Sequence, residues 1–308
     1  MSDRPQSAPS VTPPSNRPGL EIGPLWLAAG FGVFLFLGWM ILVGLWRPRL
    51  DWFSAAGFHV AAVLYYGVLD AFALALSAAF LCGLEGHPFR ALGLSFSPGW
   101  VVQSATGVAW GAGVISLTSL LLVVTHAAAL SPLALRSVLR VVFFALFFLL
   151  SSTFEELAFR GYALQRAADS IGPVAAALFS SLLFGWAHMA NPQATLLSSL
   201  NTTLAGLLLA TARLRSRGLW MPIGLHFAWN FFLGPVFAFP VSGYTFGAKE
   251  ISVFSPPLAW LSGGAYGPEG GAALTAVVAV GLLLLVRIPI PFSSIRPASD
   301  VDYRRKTG

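Results

Sequence analysis

Apolar positions gather into eight long stretches, 24–46, 55–83, 100–130, 137–168, 172–190, 194–212, 218–240 and 271–287, separated by short polar breaks. Each is near the ~20 residues that a helix needs to cross hydrocarbon. The pattern predicts an all-α, polytopic integral membrane protein with about eight transmembrane helices and any polar site held inside the bundle. The stretches at 100–130 and 137–168 are long enough to tilt or to project beyond the hydrocarbon. Residues 1–22, with Pro5, Pro9, Pro13, Pro14 and Pro18, carry too little apolar surface to fold and are expected to form a disordered tail. Residues 288–308 read as a second such tail, which leaves one membrane domain over 23–287.

Composition agrees with this reading. Of 308 residues, 56% are hydrophobic and 10% charged, and the mean hydropathy is +0.75. Soluble domains carry about 25% charged residues. The formal charge of +6 fits loops beside anionic lipid, because no basic patch is interleaved with aromatics as a nucleic-acid site would need. Cys82 is the one cysteine, which excludes an internal disulfide. Met1 is followed by a long polar stretch, so no cleaved signal peptide is expected. Eight spans put both termini on one side. Arg and Lys are more abundant on that side, so both ends are expected in the cytoplasm. Arg213, Arg215 and Arg217 read as headgroup anchors of a loop.

Against this apolar background, Glu155, Glu156 and Arg160 fall within six residues of one span. Ionisable groups at bilayer depth cost roughly 2.5–3.5 kcal/mol each, so they require a function or a partner. Glu156 and Arg160 are four apart and share a helix face, whereas Glu155 points about 100° away. Phe184/His188 and His226/Asn230 repeat the four-residue spacing on two later spans. At a rise of about 1.5 Å per residue, Glu155 lies ~21 Å and His188 ~24 Å from the turn that joins their spans. His226 and Asn230 lie ~12 and ~18 Å from the turn at Gly218. These depths overlap within ordinary helix tilt. A carboxylate and an imidazole can take a proton from water, which suits Glu155 with His188. His226 and Asn230 are donors suited to an oxyanion. The same groups suit a divalent metal such as zinc on Glu155, His188 and His226. Glu156 and Arg160 would form a supporting pair that fixes their helix.

The residues Glu-Glu-x-x-x-Arg at 155–160 followed by Gly161-Tyr162, Phe-x-x-x-His at 184–188, and His-x-x-x-Asn at 226–230 resemble the three motifs of the CAAX-protease and bacteriocin-processing family. Leu204–Arg213 and Gly218–His226 also resemble that family's approach to its third motif. The likeness covers about residues 140–235 and implies a protease core at about 137–240. It implies an intramembrane endopeptidase related to type II CAAX prenyl protease, acting on a peptide or protein substrate, membrane-anchored or not, in a bacterial inner membrane. By resemblance Glu155 and His188 activate water, His226 and Asn230 hold the oxyanion, and Arg160 orients Glu156. Family members have been described both as metalloproteases and as metal-free glutamate proteases.

Other readings stand beside this one. A non-catalytic scaffold or bacteriocin-immunity-type binding protein would keep the residues as a cavity. A proton-coupled transporter would use Glu155 and Glu156 as a relay, but would show paired repeats that are not evident. Phe184 reads as a packing residue or a wall of the substrate cavity, not as a catalytic group. Asp70 is read as lining a cavity or pairing with an arginine, and Ser198 to Thr203 as helix-packing contacts.

Overall fold

The computed structural model describes residues 23–46, 58–96, 98–130, 138–245 and 253–290. The predicted tail 1–22 lies wholly outside them, and of the predicted tail 288–308 only Ile288–Ile290 are described, with Ile290 buried. The eight apolar stretches all become helical: α1 Pro24–Trp46, α2 Phe58–Ala78, α3 Trp100–Val124, α4 Val138–Arg160, α5 Tyr162–Ile171, α6 Pro173–Ala187, α7 Leu196–Ser216 and α8 Trp220–Phe231, then a one-turn α9 Ala259–Ser262 and α10 Ala272–Arg287. A two-residue antiparallel pairing joins Ala128 to Phe254 and Ala129 to Val253. The all-α membrane architecture expected from the sequence is therefore what the chain adopts.

Among the described residues, five segments are long and apolar enough to cross a membrane: Pro24–Val43, Ala62–Leu84, Trp100–Val124, Val141–Ile171 and Pro173–Ala190; α10 is apolar but shorter. α7 has the length but carries Asn201, Arg213 and Arg215, and α8 spans only 12 residues before a wider turn over Phe232–Val236. These two polar or short helices stand next to the polar site. Large apolar side chains face outward along the helices, among them Phe34, Ile41, Leu117, Leu120, Leu182 and Leu283, as a lipid-solvated surface requires. Inside, Ile115, Leu122, Phe148, Leu208, Met221 and Leu274 form one core cluster, and Phe31, Leu81, Leu157 and Tyr162 belong to a second around α1, α2 and α5.

The predicted continuous fourth span breaks at Gly161. A Cβ there would lie 2.4 Å from the Leu157 carbonyl oxygen, so only glycine permits the bend. The carbonyls freed at the break find partners: Ser180 Oγ donates to Phe159 O at 2.8 Å and Arg213 Nε to Arg160 O at 3.2 Å. Arg213 is thus buried and ties α7 to the end of α4. Arg215 donates to the Ile288 carbonyl at 3.0 Å. These two arginines hold protein backbone, which corrects their reading as headgroup anchors.

Close backbone contact sets α8 in place. A Cβ at Gly107 would come within 2.1 Å of Met221 O, and one at Gly111 within 2.2 Å of Leu225 O. The Gly-x-x-x-Gly edge of α3 therefore lies directly against the backbone of α8, the geometry that small residues allow between membrane helices. Gly111→Leu is expected to force these helices apart and lower stability by at least about 1–3 kcal/mol. Thermal unfolding in detergent checks this, and an unchanged midpoint would contradict the packing described.

Candidate active site

α4, α6 and α8 deliver the polar groups to one place. Glu155 and Glu156 lie in the last turns of α4, His188 directly follows the C-terminus of α6, and His226 is mid-way along α8. Glu155 Oε2 is 3.8 Å from His188 Nε2 and 3.7 Å from His226 Nε2. Glu156 Oε1 meets His226 Nδ1 at 2.8 Å. The 100° offset between the two neighbouring glutamates, read from sequence as two separate directions, instead brackets a single imidazole, with one carboxylate at each ring nitrogen.

Both histidines are anchored at Nδ1, which leaves Nε2 turned to Glu155. His226 Nδ1 donates to Glu156, and His188 Nδ1 donates to the Phe184 carbonyl at 2.8 Å. Such contacts at one nitrogen fix the tautomer and ring orientation at the other. Glu155 is the open carboxylate: its side chain is 26% exposed, yet Oε2 is buried with no hydrogen-bond partner among the described residues. Glu156, by contrast, is fully buried.

Arg160 joins these parts. It is fully buried, donates to Glu156 Oε1 at 3.2 Å and to the Gly206 carbonyl at 3.2 Å, and lies over the Phe184 ring at 4.2 Å. Phe184 is therefore more than packing, because its ring supports Arg160 while its carbonyl orients His188. Gly206 makes room for the guanidinium, since a Cβ there would be 3.1 Å from Arg160 NH2. α6 and α7 approach closely at Gly185, whose Cβ would strike Thr203 Oγ1 at 2.0 Å. That contact sets the position of His188 relative to α7.

Asn230 sits one turn beyond His226, partly exposed, and forms no hydrogen bond with Glu155, His188 or His226. Asp70 is buried in α2 and has no hydrogen-bond partner for either oxygen among the described residues. Of its two readings, lining a cavity or pairing with an arginine, the second finds no partner among the described residues.

Glu155, His188 and His226 fit a divalent ion in kind, since one carboxylate oxygen and two free imidazole nitrogens face one another. In spacing they stand a few tenths of an ångström more open than a closed site. Bonds of ~2.0–2.1 Å in a tetrahedral zinc site place ligands about 3.3 Å apart, less than the 3.7 and 3.8 Å found here. Among the described residues, no group of three or more His, Cys, Asp or Glu is arranged to hold a metal ion.

A second polar node, not singled out in the sequence, lies beside the first. Glu269 is buried in the Pro268–Gly270 turn and interacts electrostatically with His188. Tyr266, also buried, lies near Thr202, Ser242 and Asn191; burial and, to a lesser extent, the Glu269 charge push its phenol up to about 12. It is thus a neutral hydrogen-bonding group at ordinary pH. Gly-Pro-Glu-Gly-Gly at 267–271 carries the composition of a solvated turn, and nothing local in it announces burial.

Residues 137–232 match the model of a family described as Rce1-like, type II CAAX prenyl endopeptidase Rce1-like. No curated protein and no solved structure matches the chain significantly.

Proposed function

We propose, from the match of residues 137–232 to the Rce1-like family model and from the geometry of the site, that the protein is a relative of the type II CAAX prenyl endopeptidases and hydrolyses a peptide bond inside the membrane using water activated by Glu155 and His188. The observation that carries this reading is the unpartnered Oε2 of Glu155 facing two oriented Nε2 atoms at 3.7 and 3.8 Å. Those gaps are too long for direct hydrogen bonds and suit a bridging water.

In this mechanism Glu155 takes a proton from water while His188 Nε2 accepts the water's second hydrogen bond. The oxygen attacks the peptide carbonyl. His226, holding a proton at each nitrogen with Glu156 as its counter-charge, donates from Nε2 to the developing oxyanion, and Asn230 turns in to supply a second donor. Collapse of the intermediate breaks the C–N bond, and the proton held by Glu155 passes to the departing amine. Glu156 and Arg160 act through His226 and Phe184 and touch no reacting atom. A substrate anchored in the bilayer, such as a prenylated C-terminal peptide, would reach this depth without leaving lipid.

The test uses purified full-length protein, a quenched prenylated C-terminal peptide and a wider peptide library. Wild type is expected to cleave, and His188→Ala and His226→Ala to lose turnover by about 10²-fold or more. Absence of cleavage across the library, with ligand binding retained, would favour the scaffold reading. The two free imidazole nitrogens also support a second reading, in which a divalent ion is the cofactor. Turnover that persists after EDTA and dialysis favours the metal-free scheme. Loss restored by zinc would assign the ion to Glu155, His188 and His226.

A further inference from the structure

Glu269 belongs to none of the three motifs, yet its carboxylate is fully engaged. Oε1 accepts the Trp229 indole N–H at 2.9 Å, and Oε2 accepts both the backbone N–H and the hydroxyl of Ser242. Ser242 is held with φ at +49°, a left-handed conformation that non-glycine residues seldom adopt. Two hydrogen bonds to one carboxylate oxygen are a reason for it to stay there. The backbone around Glu269 is also fixed, because Asn201 Nδ2 on α7 donates to the carbonyls of Glu269 and Gly271, each at 2.9 Å. Thr275 on α10 in turn donates to Asn201 Oδ1 at 2.6 Å.

The place of these contacts gives them meaning. Trp229 lies between His226 and Asn230 on α8, three residues after the first and directly before the second. α8 passes into its wider turn two residues further on. The rotation of this last part of α8 decides where His226 and Asn230 point. Packing with α3 runs along the helix from Met221 to the Trp229 backbone, and Glu269 adds a hold on the Trp229 side chain at that end. The Gly243 N–H, next to Ser242, donates to the Tyr266 carbonyl at 3.1 Å and ties that turn to the loop before Glu269.

We propose that Glu269 is a positioning residue of the catalytic site: it clips Trp229 and the Val241–Tyr244 turn to the wall formed by α7 and α10, and so holds His226 turned toward Glu155. The proposal rests on the endopeptidase reading for its consequence in catalysis, and on the contacts alone for its geometry.

The experiment compares wild type, Glu269→Gln, Trp229→Phe and the double variant. Gln keeps the size of the side chain but replaces one acceptor with a donor facing the Ser242 N–H. Phe keeps an aromatic ring and removes the indole donor. With the quenched prenylated peptide, each single change is expected to lower kcat about 10–100-fold, as for other residues that orient a catalytic group, with little change in KM. The double variant should lose no more than the worse single one, because both cut one clip. An unchanged kcat in folded Glu269→Gln, or fully additive losses, overturns the proposal. Two readouts do not need turnover: the fluorine NMR signal of fluorotryptophan at position 229, assigned through its loss in Trp229→Phe, and amide hydrogen exchange at Ser242. Glu269→Gln should shift the first and accelerate the second. If wild type cleaves nothing, the endopeptidase reading fails, while these two measurements still support or overturn the clip. If Glu269→Gln does not fold, Trp229→Phe carries the test by the same kcat and exchange criteria.

Discussion

Glu155→Gln is expected to lower turnover by about 10²–10⁴-fold, the usual worth of a positioned general base, while leaving the unfolding midpoint near that of wild type. The fold makes no use of the critical oxygen, since Oε2 has no hydrogen-bond partner among the described residues. An amide of the same shape therefore removes basicity and little else. Its neighbour gives the control. Glu156 holds His226 Nδ1 and Arg160 together, so Glu156→Gln should disturb both activity and stability. Kinetics on the prenylated peptide beside thermal unfolding separate the two. Wild-type turnover in Glu155→Gln would remove Glu155 from the mechanism.

The second large effect is on stability. Arg160→Met leaves Glu156 buried without its cation and the Gly206 carbonyl without its donor. Stranding one member of a fully buried ion pair typically costs about 3–5 kcal/mol. Replacing both members with apolar side chains removes the stranded charge, so Glu156→Met with Arg160→Met is expected to recover much of that loss. Activity should stay low in the double variant, because His226 Nδ1 then lacks its carboxylate. Stability recovered together with activity would show that the pair serves packing alone. Denaturation in detergent and peptide cleavage on the same samples distinguish the outcomes.

The helices were legible because membrane-length apolar runs are a strong signal, and the ends of α1 and α10 lie within a residue of where the runs stop. The break at Gly161 was not, since one glycine inside an apolar run is tolerated in many helices. Its necessity comes from a steric contact with Leu157 that only the folded backbone creates. Glu155, His188 and His226 could be brought together on paper because helical rise converts sequence separation into depth. The shared grip of Glu155 and Glu156 on His226 could not, because helix rotation is set by packing such as that of Gly107 and Gly111 on α8. Arg213 looked like a headgroup anchor for want of any sign of the carbonyl it meets at Arg160.

The ion pair on α4 has a consequence for how the protein is made. Glu156 and Arg160 are four residues apart on one helix, so they can neutralise each other as soon as that helix forms. Gly206 and His226, their other partners, are synthesised later. A nascent segment can thus enter lipid with its two most costly charges already matched, at a lower penalty than either would incur alone. Glu155 has no such companion within its own helix, so its burial is deferred until the later segments arrive to enclose it.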